Sequence, residues 1–117
     1  MKPKYNFMKN FRYAREGFKS VFLNESSFKL QVFFFVIFSI VALFLPYPIW
    51  AKVFIIASML VPVVVELLNS AIEGVVDLVS PNFHELAKYV KDAAAAAVMV
   101  SIAIPVMVWV GFIIYFW

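Results

Sequence analysis

The sequence predicts an all-α membrane protein: three transmembrane helices preceded by an amphipathic helix at the membrane surface. The first ground is composition. Of 117 residues, 65% are hydrophobic and 15% charged, against roughly 45–50% and about 25% in soluble domains. The second is the placement of charge. Residues 30–51, 53–65 and 93–117 carry none. A helix needs about 20 residues to cross a hydrocarbon core near 30 Å thick, so spans are expected at about 29–47, 49–70 and 93–115. The third is asymmetry: seven of the ten Lys and Arg residues lie at or before Lys29. The whole chain reads as one integral-membrane domain.

The N-terminal arm carries an expected surface helix over about 9–25. Phe11, Ala14, Phe18, Val21 and Phe22 can face acyl chains, while Arg12, Arg15, Glu16 and Lys19 meet water and anionic headgroups. Asn24-Glu25-Ser26-Ser27 reads as a break and a new helix start, with Ser26 or Ser27 as possible caps. The first residues lack the short apolar run and small-residue cleavage site of a secretory signal.

The first span ends at Pro46 and Pro48, which force a short turn. The second begins after it and includes Pro62, which removes the backbone bond to the Ser58 carbonyl. This span is the informative one. Its uncharged run is interrupted by Glu66, Asn69, Glu73 and Asp77 within VPVVVELLNSAIEGVVDLVS. At 100° per residue these four fall on one stripe about 80° wide. Because Leu, Ile and Val continue between them, the helix is expected to run unbroken to about residue 79. A carboxylate facing hydrocarbon costs several kcal/mol, so such residues face a protein interior and serve a function. Ser80-Pro81-Asn82 ends the helix, and 71–92 is expected to form a cytoplasmic helix extension and loop. The third span opens on Ala93 to Ala97, a run of small side chains that permits close helix approach. Trp50, Tyr115 and Trp117 suit interface anchors, with Trp109 deeper.

Basic residues set the expected orientation. The arm and the 78–92 loop, with Lys88 and Lys91, belong in the cytoplasm, and an odd number of spans sends the C-terminus outward. The acids then gather at the cytoplasmic side. Carboxylates with an amide oxygen suit a hard cation such as Mg²⁺ completed by phosphate, and Lys91 offers a point charge to phosphate. The absence of cysteine excludes disulfides and thiolate metal sites, and His84 alone is a poor transition-metal site. With three glycines in the chain and no Walker or kinase-type loop, a nucleotide would be held by a small, unusual site. The net charge of +3 rests on the arm, where anionic lipid accounts for it and no nucleic acid is required.

The segments NESSFKLQ, VELLNSAIEGVVDLVS and HELAKYVKDAAAAAV resemble the small integral-membrane diacylglycerol kinases of bacteria, a family with a branch acting on undecaprenol. The resemblance covers about residue 9 to the C-terminus. It implies a homotrimer with composite sites shared between protomers, ATP and Mg²⁺, and a lipid alcohol as acceptor. It implies Glu66 as the base that takes the hydroxyl proton, and Glu25 and Glu73 as metal ligands. Lys91 is implied as a phosphate contact, and Asp92, Asp77 and Glu85 as nucleotide-side or orienting residues, with Arg12 on the same side. Asn69 is implied as a polar helper beside the base, with Ser70 and Lys19 as orienting groups. Glu16 departs from the basic residue expected in the surface helix. The resemblance leans towards diacylglycerol over undecaprenol, and the expected location is the bacterial inner membrane. Two other classes compete: a small ion or proton transporter, and a purely structural subunit. Against the first, the acids cluster at one side and the third span offers no polar path. The second would leave costly carboxylates without a task.

Overall fold

The computed structural model describes residues 4–117. Four α-helices follow one another: α1 Phe7–Asn24, α2 Ser26–Phe44, α3 Ile49–Val79 and α4 Glu85–Tyr115. The described residues contain no strand. Helices α2, α3 and α4 are each long and apolar enough to cross a membrane, so the chain is a membrane protein of three spanning helices.

Helix α1 starts at Asn6, whose side chain accepts from the Lys9 amide at 3.1 Å. The break before α2 falls at Glu25, which takes extended backbone and caps α2 without a side-chain bond. Neither serine is the cap. Ser26 is already helical, and Ser27 turns its hydroxyl elsewhere. The junction is held instead by aromatic packing. Phe28 of α2 is fully buried, with Phe18 and Phe22 of α1 edge-on to its ring at 5.1 and 6.4 Å. Two aromatic rings expected among acyl chains therefore cover the start of α2.

Helix α3 runs through Pro62 and past Glu66 without interruption for 31 residues. At 1.5 Å per residue this is about 46 Å, well beyond a hydrocarbon core of about 30 Å. Helix α4, also 31 residues, starts at Glu85. This corrects the expected loop over 78–92, which shrinks to Ser80–His84. The cause is local. His84 Nδ1 accepts from the Leu86 amide at 3.0 Å, and Glu85 complements the first turn. Leu86, Ala87, Lys88 and Lys91 are good helix formers, and Lys88 pairs with Asp92 at 2.6 Å, one turn apart. Loss of charge marks where α4 enters hydrocarbon, not where the helix begins. Helices α3 and α4 thus form an antiparallel pair that projects past the apolar zone and carries Lys88, Lys91 and Asp92 on rigid backbone.

Within the spans, Ala42, Ile55 and Met59 form the buried centre, with Phe35, Tyr47, Trp109 and Phe112 packed on it. Trp109 is a packing residue: its Nε1–H donates to Met59 Sδ at 3.4 Å. At the opposite end from Glu66, Lys52 Nζ donates to the Leu43 carbonyl at 2.7 Å and satisfies one of the last carbonyls of α2. Of the alanine run only Ala94 is buried, and Ala93, Ala95, Ala96 and Ala97 are exposed. Within one chain, close approach uses one alanine. Ala94→Leu is therefore expected to destabilise the chain by about 1–3 kcal/mol through overpacking, whereas Ala96→Leu leaves it near wild type. Denaturant titration of the two variants in one detergent checks this.

Candidate functional site

The stripe on α3 grades from buried to exposed along its length. Glu66 is 5% exposed, Asn69 8%, Glu73 is half-buried and Asp77 is exposed. The side chains that cover Glu66 come from the same chain. Ser27 Oγ donates to Glu66 Oε1 at 2.9 Å, and Gln31 Nε2 donates to Oε2 at 3.2 Å. Ser27 and Gln31 are four residues apart on α2, so one face of one helix presents both donors. Each carboxyl oxygen accepts one bond, and the buried side chain is held in a fixed orientation. Within one chain, α2 already covers this acid.

One turn further, Asn69 Nδ2 donates to Glu73 Oε1 at 2.9 Å. The amide oxygen of Asn69 is buried and has no partner among the described residues, and the same holds for Ser70 Oγ. Mg²⁺ is commonly bound by one or two carboxylates, with waters and phosphate oxygens in the remaining positions. A carboxylate beside an unpartnered amide oxygen fits that requirement in part. Glu25 lies half-buried at the α1–α2 junction and makes no hydrogen bond to Glu66 or Glu73 among the described residues. Those residues contain no group of three acidic or histidine side chains close enough to hold a metal ion. One chain alone brings together half of the expected ligand set.

The extended ends of α3 and α4 are tied by an ion pair. Lys91 Nζ meets Asp77 Oδ1 at 2.6 Å. The hydrogen bond to Asp77 raises the Lys91 pKa above its usual value, opposed by desolvation and supported by the charges of Asp77 and Glu73. A raised folded-state value means the pair's contribution is complete below the ordinary lysine pKa and fades as pH climbs through the folded one. Lys91 is therefore a full positive charge throughout the neutral range. Asp92 pairs with Lys88 and Glu85 stands exposed in the first turn of α4. Arg12 lies over the ring of Tyr13 at 5.6 Å, and Lys19 is exposed. Neither makes a hydrogen bond or ion pair to the Glu66 group among the described residues.

Sequence reasoning missed Ser27 and Gln31 as partners of Glu66. They sit 39 and 35 residues from it, and a serine and a glutamine carry no signal of their own. What could have found them is the i, i+4 spacing of Ser27 and Gln31 immediately before Val32 to Phe38, a run with no hydrogen-bonding side chain. Ser27→Ala should leave Glu66 Oε1 without its donor and cost about 1–3 kcal/mol. Thermal unfolding in detergent reads that loss, with Ser26→Ala, next to it in sequence, as the control.

The sequence model of the family described as prokaryotic diacylglycerol kinase matches residues 12–114. Curated relatives agree. The diacylglycerol kinase of Escherichia coli K12 is 33% identical over 97 residues, which covers 83% of this chain and 80% of the relative. That of Haemophilus influenzae is 35% identical over 104 residues, covering 89% and 88%. That of Pseudomonas aeruginosa is 37% identical over 97 residues, covering 83% and 79%. A match spanning α1 to α4, together with a buried carboxylate held at the Ser27 end of α2, leads to one conclusion: the chain belongs to the prokaryotic diacylglycerol kinase family and is a lipid kinase.

Proposed function

We propose that the chain transfers the γ-phosphoryl group of ATP to the hydroxyl of diacylglycerol, giving phosphatidic acid and ADP, in phospholipid recycling. The observation that carries this reading is Glu66, a carboxylate buried within a membrane-spanning helix and aimed by two donors from α2. A primary hydroxyl is a weak nucleophile at neutral pH, and a positioned carboxylate raises its rate by about 10²–10⁴-fold. The hydroxyl oxygen attacks the γ-phosphorus while its proton passes to Glu66. The bond from the γ-phosphorus to the bridging oxygen breaks, and ADP leaves with that electron pair.

Glu73 and Asn69 Oδ1 are the groups that would hold Mg²⁺, and Glu25 of a neighbouring protomer completes the set. When bound, the ion neutralises charge on the phosphate oxygens. Lys91 contacts phosphate, oriented by Asp77. Asp92 and Glu85 lie on the nucleotide side, with Arg12 near it, while Ser70 and Lys19 orient the lipid. The assembly is a homotrimer with sites between protomers. It lies in the inner membrane, with α1 flat on the cytoplasmic surface and the C-terminus outside.

Transfer of labelled phosphate from ATP to lipid in vesicles tests the reading. Labelled phosphatidic acid is the expected product. Labelled undecaprenyl phosphate with unlabelled diacylglycerol would move the assignment to the family's other branch, and no labelled lipid from either alcohol would end it.

A further inference from the structure

Helices α3 and α4 each carry one proline in mid-helix, Pro62 and Pro105, and both are buried. Two contacts fix how the helices align: Asp77 with Lys91, and Met59 with Trp109. Asp77 is 18 residues from Met59 on α3, and Lys91 is 18 from Trp109 on α4. The helices therefore advance in step. Pro62 lies three residues from Met59, and Pro105 four from Trp109. The prolines thus stand within about one residue, or about 1.5 Å, of one level. Both border the same cavity between α2, α3 and α4.

Each helix is weakened twice near this level. Proline has no N–H, so the carbonyl four residues back, that of Ser58 or Ser101, loses its helical donor. That serine also turns its hydroxyl on its own helix. Ser58 donates to the Ile55 carbonyl and Ser101 to the Val98 carbonyl, each at 2.6 Å. Such back-bonding favours a bend. A bend in one helix alone would be splinted by a straight partner, whereas two at one level share an axis.

The same level divides the packing. On the Lys52 side lie the buried Ala42, Ile55 and Met59, with Phe116 stacked on Tyr47 at 4.5 Å and Phe112 against Trp50 at 5.7 Å. On the other side the tips of α3 and α4 are tied by Lys91 and Asp77, and α3 meets α2 through the Ser27 and Gln31 bonds to Glu66. Helix α2 contains no proline. Glu66 is 5% exposed, so a substrate hydroxyl reaches it only after α2 and α3 part. We propose that Pro62 and Pro105 form a paired hinge. About it, α3 beyond Pro62 and α4 before Pro105 swing as one piece away from α2 and uncover Glu66. The direction follows from the prolines. Each ring presses on the carbonyl one turn back on its own face, towards the cavity, and the helix bends away from that face. The need for opening rests on the proposed role of Glu66 as base, and the hinge itself on the prolines.

The chain has no cysteine, so pairs of spin labels can be introduced cleanly. Leu30→Cys with Tyr89→Cys spans the opening, and Phe44→Cys with Ile114→Cys spans the opposite end, all at exposed positions. Each labelled chain is reassembled in vesicles with an excess of unlabelled chain, so that the distances read lie within one protomer. Without any substrate, double electron–electron resonance is expected to give two separations between positions 30 and 89, and one between 44 and 114. Ser27→Ala removes one bond across the α2–α3 seam and should raise the longer population by about 2–10-fold. Pro62→Ala or Pro105→Ala restores a backbone bond. Either should remove the longer separation and lower kcat by about 2–10-fold, with KM for ATP unchanged. Because one straight helix splints the other, the double variant should match the single ones.

A single separation between positions 30 and 89, even in Ser27→Ala, overturns the hinge. So does a longer separation that survives either alanine, single effects that add in the double variant, or a kcat that neither alanine lowers. Proline-dependent opening in a chain that phosphorylates no diacylglycerol upholds the hinge and defeats that substrate. Normal phosphorylation with a single separation does the reverse.

Discussion

Glu66→Gln is expected to lower phosphoryl transfer by about 10²–10⁴-fold while leaving assembly intact. The substitution keeps shape and removes only the proton acceptor. Ser27 Oγ can still donate to the amide oxygen of the new side chain, and Gln31 can turn its own unpartnered oxygen towards the new amide N–H. The fold therefore has no reason to fail. KM for ATP should move little, because the proposed nucleotide-side residues lie elsewhere: Asp77 further along α3, Glu85, Lys91 and Asp92 on α4, and Arg12 on α1. The check is labelled-phosphate transfer at matched expression, with the oligomer profile measured alongside. Activity within a few-fold of wild type would remove Glu66 from the chemistry and leave it a buried structural acid.

A second expected result concerns who completes the site. Glu25→Gln and Glu66→Gln protomers should each be inactive alone. Mixed in equal amounts and reassembled, they should recover about a quarter of wild-type activity, the fraction of subunit boundaries at which an intact Glu25 faces an intact Glu66. The structure motivates this directly. Within one chain Asn69 and Glu73 meet, while Glu25 has no bond to either acid and no three-ligand cluster forms among the described residues. No recovery in well-formed mixed oligomers would place every essential group within one protomer.

Much of the fold was legible because membrane spans obey a coarse rule: uncharged length. The stripe was legible for a similar reason, since periodicity along a single helix needs no knowledge of neighbours. Glu66 to Asp77 therefore share one face, as spacing demanded. What spacing could not supply is the partner of each group. The Ser27 and Gln31 bonds to Glu66, and the Lys91–Asp77 pair across 14 residues, depend on how α2 and α4 pack against α3. The start of α4 was misjudged because hydropathy reports solvent, whereas helix starts are set by caps such as His84. Of the alanine run, which permits close helix approach, Ala94 is the member buried within one chain, because a helix turns its other positions away from the neighbouring helices of that chain.

The bond from Lys52 to the Leu43 carbonyl bears on how such a chain enters a membrane at all. Under the proposed orientation Lys52 is carried to the far side, where a free ammonium would compete with the basic arm in deciding direction. Bound to one terminal carbonyl of α2, it meets the negative end of a helix dipole. The α2–α3 hairpin can thus cross as a unit whose leading charge is already answered within it. The arm, with its cluster of lysines and arginines, is then left to decide which face of the membrane the enzyme works from.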